Sequence, residues 1–97
     1  MPVTAHLDLI LTAEALPTAP AVLRAILADT RAFDGCLGVE VLIDCTNPAH
    51  FLVVEQWASM EHDSAYRAWR AGEGASPLGD LLAVPPVLTH FEASTGI

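Results

Sequence analysis

Residues 33–69 read FDGCLGVEVLIDCTNPAHFLVVEQWASMEHDSAYRAW, and this stretch decides the fold. Apolar and β-branched residues are dense from Leu37 to Ile43 and again from Phe51 to Trp57, the composition of two paired strands. Asn47-Pro48 between them supplies turn chemistry that neither strand can absorb. Ser59 then stands as the N-cap of a helix, and Glu61 suits the positive end of its dipole. His62, Ala65, Tyr66 and Trp69 share one stripe of that helix, and Gly72 stops it. Strand, turn, strand and capped helix form the middle of a β-α-β-β-α-β domain.

The flanks complete the pattern. Thr4 to Thr12 alternates as a strand, with Ala5, Leu7, Leu9 and Leu11 on one side and His6, Asp8, Ile10 and Thr12 on the other. Thr18 is placed to cap a helix with Pro20 in its tolerant first turn, and Val22, Leu23, Ile26, Leu27, Thr30 and Phe33 make its apolar stripe. Asp34-Gly35 ends it, because glycine accepts the positive φ that a helix C-terminus often needs. After the Glu73–Pro77 loop, a short turn around Leu78 to Leu82 and the Pro85-Pro86 breaker lead to a last strand, Val87 to Ala93.

In the hairpin, Leu37, Val39, Val41 and Ile43 form an apolar side of the first strand. The second divides into Phe51, Val53, Glu55 and Trp57 against Leu52, Val54 and Gln56. Neither side of it is polar throughout, so both faces of the sheet need cover. Right-handed crossovers give an α+β, ferredoxin-like fold, a four-stranded antiparallel sheet in the order 4-1-3-2 with both helices on one face. The other face is left bare, and its apolar residues, Ile10 and Leu42 among them, predict a homodimer that stacks two sheets.

Composition agrees. A 97-residue chain makes a single domain, residues 1–97, and buries only roughly 60–65% of its unfolded surface, yet 53% of its residues are hydrophobic and 16% charged. Net charge is −8, with no lysine, and the four arginines, Arg24, Arg31, Arg67 and Arg70, fall on the two helices instead of forming a patch. Nucleic acid and anionic membranes are thereby disfavoured as partners. Cys36 and Cys45 lie near opposite ends of one strand, on the order of 30 Å apart, and cannot bridge each other. Two reduced packing cysteines, no basic-then-apolar leader and no long apolar span make a soluble, cytoplasmic protein the expectation.

Candidate chemistry gathers on the bare face. His6 and Asp8 point the same way, and a fourth strand beside them would add Leu88, His90 and Glu92, with Glu40 nearby. Imidazoles and carboxylates among apolar residues suit a ligand cavity, in which His6 or His90 could serve as base. The plainer reading makes them hydrogen-bonded residues of the sheet or the dimer seam. Two histidines and a carboxylate could also ligate a metal, but such alternation arises without one and no metal is expected. Metal-binding, phosphate-loop and nucleophile-elbow motifs are missing from the sequence. Trp57, Trp69 and Tyr66 either pack between strand, helix and sheet or form a wall for a planar ligand, with the Tyr66 hydroxyl donating to a substrate oxygen. His62 begins the same stripe and is either a further wall residue or a half-exposed first-turn residue.

The FDG-C-L-G opening, the VVEQW strand end and the following helix resemble the antibiotic biosynthesis monooxygenase family of dimeric α+β barrels. The resemblance covers nearly the whole chain. It implies face-to-face sheets and, in the quinone-forming members, oxidation of a polycyclic phenol or anthrone by dioxygen without cofactor. Those members use a late strand-three asparagine, the tryptophan ending that strand and a tyrosine early in the next helix. Trp57 matches the tryptophan, whereas Val53 and Asp63 stand in the other two places and Tyr66 lies one turn further on. The haem-degrading members' set maps onto His6 or Asp8, Tyr66 and about Ser76, a poor match for haem. The expectation is a cofactor-free monooxygenase acting on an aromatic, polyketide-like substrate and dioxygen. The alternatives are a non-catalytic dimeric ligand-binding domain and an isomerase or cyclase using the same base.

Overall fold

The computed structural model describes all of residues 1–97. Its main elements are β1 (Val3–Ile10), α1 (Ala19–Ala32), β2 (Cys36–Ile43), β3 (His50–Trp57), α2 (Met60–Arg70) and β4 (Val87–Phe91). Short 3-10 turns lie at Ala13–Ala15 and Pro77–Leu81. All strand pairs are antiparallel, in the order β2-β3-β1-β4. This is the expected ferredoxin-like α+β topology, with both helices on one face, in a slab with extents of 41 × 35 × 19 Å.

Alternation places Ala5, Leu9 and Leu11 of the first strand region and Phe51, Val53 and Trp57 of β3 under the helices. Leu23 and Leu27 of α1 close the main core over them. A second cluster joins Ala5, Trp57 and Tyr66, with Phe33, Cys36 and Trp69 around it. Removal of such side chains from water supplies most of the drive to fold.

Ser59 caps α2 as expected, its Oγ accepting from the His62 amide at 3.2 Å. Gly35 has φ +87°, and a Cβ there would stand 2.2 Å from the His62 ring, so both backbone and space require glycine. Thr18 occupies the N-cap position of α1 but donates to the Ala15 carbonyl instead of capping the helix.

Three expectations about side-chain direction are corrected. A β-bulge between Cys36 and Gly38 makes Leu37 an extra residue, 63% exposed, so it does not share the helix-facing side with Val39. Ile43, at the end of the same edge strand, is also exposed. Cys45 is exposed in the hairpin turn and packs nothing, while Cys36 is half-buried and its thiol pKa is raised by that burial.

The β1–β4 register gives the third correction. His6 pairs with Thr89 and Ala5 with His90. His6 and Asp8 therefore share the bare face with Val87, Thr89 and Phe91, while Leu88 and His90 lie on the helix side. Glu92 falls beyond the strand, which ends at Phe91 and not at Ala93.

Candidate functional site

A half-enclosed cavity of about 130 Å³ lies between sheet and helices. Leu7, Leu9 and Val53 from the sheet and Leu23, Ile26 and Leu27 from α1 make its walls apolar, and Glu55, Tyr66, Arg67 and Arg70 bring polar atoms to it. It shares Ile26, Arg70 and Ser76 with an open cleft of about 620 Å³ between α1 and the Glu73–Pro77 loop. Gly74 permits that loop to lie on Trp69, since a Cβ there would be 2.2 Å from the indole.

Glu55 belongs to the apolar side of β3 and is 1% exposed. Its Oε1 accepts from Arg67 Nη2 at 2.7 Å and from Trp57 Nε1 at 3.0 Å. Oε2 accepts from no protein donor, yet the protein has no buried unsatisfied side-chain oxygen. Oε2 therefore keeps contact with open space, and the space that Glu55 lines is the cavity. A hydrogen-bonded oxygen holds the carboxylate still while its neighbour remains available to a ligand.

Arg67 also holds Asp63, which is 0% exposed, through Nη2 at 3.0 Å and Nε at 3.3 Å. Burial works against the Arg67 charge, but the Glu55 and Asp63 carboxylates outweigh it and raise the guanidinium's pKa. The other acceptor site of Asp63 Oδ1 receives His90 Nε2 at 2.9 Å. Strand β3, helix α2 and strand β4 are thus joined by the series Glu55, Arg67, Asp63 and His90.

Tyr66 is 3% exposed and its ring packs on Trp57 and Phe33, with centroids 4.9 and 5.3 Å away. Its hydroxyl accepts from Arg70 Nε at 2.8 Å, and because Thr30 Oγ1 donates to the Ile26 carbonyl at 3.4 Å, the Tyr66 hydrogen goes to Thr30 Oγ1 at 2.6 Å. The expected donation from Tyr66 to a substrate oxygen is not available in this arrangement. Trp57 is wholly buried core with its N–H committed to Glu55, while Trp69 faces the outer cleft. His62 lines neither space; its Nδ1 meets Ser59 Oγ at 2.7 Å and its Nε2 lies 3.8 Å from Asp34.

The bare face contains a different polar group. His50, a residue the sequence reading passed over, lies between Asp44 (Nδ1, 2.8 Å) and Asp8 (Nε2, 2.7 Å). Hydrogen bonding to these carboxylates raises the His50 pKa, and His50 with the Thr46 donors lowers Asp44 to about 2. His6 packs against Phe91 on this face, ring centroids 4.8 Å apart and tilted by 57°, and Glu40 is exposed beside Val54. The structure therefore separates the expected cluster. His6, Asp8 and Glu40 lie on one side of the sheet, His90 is bonded to Asp63 on the other, and neither histidine lines the inner cavity.

A two-layer α+β fold with a cavity between sheet and helices defines the class of this protein. The chain belongs to the antibiotic biosynthesis monooxygenase family, whose model matches residues 2–76. Among solved structures it is similar to a Deinococcus radiodurans protein provisionally named an antibiotic biosynthesis monooxygenase. That likeness has 29% identity and a TM-score of 0.81, and it covers 98% of this chain and 95% of that one. Rv0793 from Mycobacterium tuberculosis shares the fold at 22% identity and TM-score 0.75, covering 97% and 96% of the two chains. A conserved protein from Methanosarcina mazei Go1 does so at 15% identity and TM-score 0.82, covering 97% and 94%. Comparison with curated proteins gives no match. No helix is long and apolar enough to cross a membrane.

Proposed function

We propose that the protein is a monooxygenase that oxidises an aromatic phenol, quinol or anthrone with dioxygen in the sheet–helix cavity, with Glu55 as the base. The observation that carries this reading is the free Oε2 of a buried, immobilised carboxylate on a cavity with mainly apolar walls. His6 and His90, the bases expected from sequence, do not line that space.

Glu55 Oε2 takes the phenolic proton, and the resulting anion is electron-rich enough to pass one electron to dioxygen. The radical and superoxide join at a ring carbon, and the proton held by Glu55 returns to the peroxide. Loss of the ring hydrogen with O–O cleavage leaves a carbonyl and water, so one phenol and one dioxygen give one quinone and one water. Apolar walls exclude bulk water from the anion, and the Arg70 guanidinium offsets negative charge at the cavity's edge. The substrate is its own reductant, so the route calls for no metal or organic cofactor.

Two copies would stack their bare faces, as exposed Leu42, Val87 and Phe91 favour, leaving each cavity within its own subunit.

Oxygen-electrode assays with naphthols, quinols and anthrones test the reaction. Wild type should consume one dioxygen per quinone, and Glu55→Gln should lower kcat by about 10²–10⁴-fold, the usual contribution of a positioned base. Turnover without oxygen uptake would replace the oxidation with an isomerase or cyclase reaction. Binding without turnover would leave a ligand-binding domain.

A further inference from the structure

The cavity has two guanidinium groups, and the protein neutralises only one. Arg67 meets the Glu55 and Asp63 carboxylates at 2.7 and 3.0 Å, whereas Arg70 has no carboxylate oxygen within 4.0 Å. Its donors go to uncharged acceptors. Nε donates to the Tyr66 hydroxyl at 2.8 Å, Nη1 to the Gly74 carbonyl at 3.0 Å, and Nη2 to the Ile26 carbonyl at 2.7 Å and Thr30 Oγ1 at 3.1 Å. A guanidinium has five N–H groups, so one remains, on Nη1. The group lies over Trp69, 4.7 Å from the ring centroid, and lines both spaces, at the neck between the inner cavity and the outer cleft.

A half-buried cation with a fixed spare donor and no counter-ion is best completed by an anionic oxygen from a ligand. Size limits where that oxygen sits. A cavity of about 150 Å³ takes one benzene ring, so the inner space of about 130 Å³ takes one ring and any further ring passes through the neck into the cleft. Asp29 and Glu73 line the cleft beyond the neck and would repel an anion placed further out. We propose that the substrate is a fused-ring aromatic carboxylate, with its phenolic ring inside against Glu55 and its carboxylate on Arg70 Nη1 at the neck. This rests on the cavity reading above and adds the substrate's charge and length.

Calorimetric titration with 5-hydroxy-1-naphthoate, whose hydroxyl and carboxylate lie on different rings, and its neutral amide, 5-hydroxy-1-naphthamide, tests it in wild type and Arg70→Gln. The net charge of −8 disfavours anions at long range, so a preference for the acid must be local. The acid should bind wild type about tenfold more tightly, the effect of one charge-assisted hydrogen bond, and the ratio should fall towards one in Arg70→Gln. Should that variant not fold, the wild-type ratio decides, together with the Arg70 Nε–H resonance, which should shift with the acid and not with the amide. Equal affinities in wild type would overturn the anion anchor and leave the cavity reading intact. Binding of neither compound would overturn both.

Discussion

Replacing Asp63 by asparagine tests the polar network at its most connected point. The Asp63 carboxylate is fully buried and accepts Arg67 Nε and Nη2 and His90 Nε2 at 3.3, 3.0 and 2.9 Å. Asparagine has the same shape but one acceptor oxygen, and in either orientation its amide hydrogens face an Arg67 donor, Nε or Nη2. Removing one partner of a buried ion pair costs about 3–5 kcal/mol. Glu55, 2.7 Å from Arg67, still compensates part of the guanidinium charge, which places the loss near the lower end, about 3 kcal/mol. For a domain of this length each kcal/mol moves Tm by about 4–8 °C, so Tm should fall by roughly 12–24 °C. Thermal and urea unfolding followed by circular dichroism measure this, at one protein concentration because self-association would add to stability. The urea m value should not change. A loss under about 0.5 kcal/mol, the level of an ordinary surface substitution, would refute the view that Asp63 is the buried centre of the network.

Gly74→Ala should lower stability and ligand affinity together, because the new Cβ would meet Trp69 at 2.2 Å and displace the carbonyl that Arg70 Nη1 holds; an unchanged melting curve would refute this. The Asp44–His50–Asp8 group gives a pH signature with two edges. The raised His50 value makes its contribution complete below the ordinary 6.5 and lost as pH climbs through the higher folded value. Asp44, lowered from 3.8 to about 2, contributes fully above 3.8 and loses that contribution as pH falls through about 2. NMR titration of the His50 ring and Asp44 carboxyl should show both displacements, and His50→Gln should shrink that of Asp44 to the part the Thr46 donors supply. Leu42→Asp should shift sedimentation towards a single subunit if the bare faces stack, and no effect on a wild-type dimer would count against that arrangement.

The topology was legible because each element contains its own punctuation. Asn47-Pro48 fixes the hairpin turn, Ser59 the start of α2 and Gly35 the reversal after α1. The strand sides of β1 and β3 followed from period-two alternation. The bulge at Leu37 was hidden, because an extra residue in an edge strand leaves an apolar run looking regular. The register of β4 was hidden for the same kind of reason, since moving a short strand by one residue sends His90 to the other face without altering its composition. The cavity network did leave a trace. Glu55 is the one carboxylate among Phe51, Val53 and Trp57 on a side that alternation buries, and Asp63 and Arg67 stand at i,i+4 spacing on the next helix. A buried carboxylate requires a cation, and that spacing presents one. His50 had no comparable trace, because its partners Asp8 and Asp44 come from two other chain segments that only the folded register brings together.

Amide chemical-shift mapping with 5-hydroxy-1-naphthoate tests the location of the site most directly. Shifts should concentrate at Ile26, Glu55 and the segment from Tyr66 to Ser76, which line the space between sheet and helices. Shifts confined instead to His6, His50, Thr89 and Phe91 would place the ligand on the bare sheet face and contradict the assignment of Glu55.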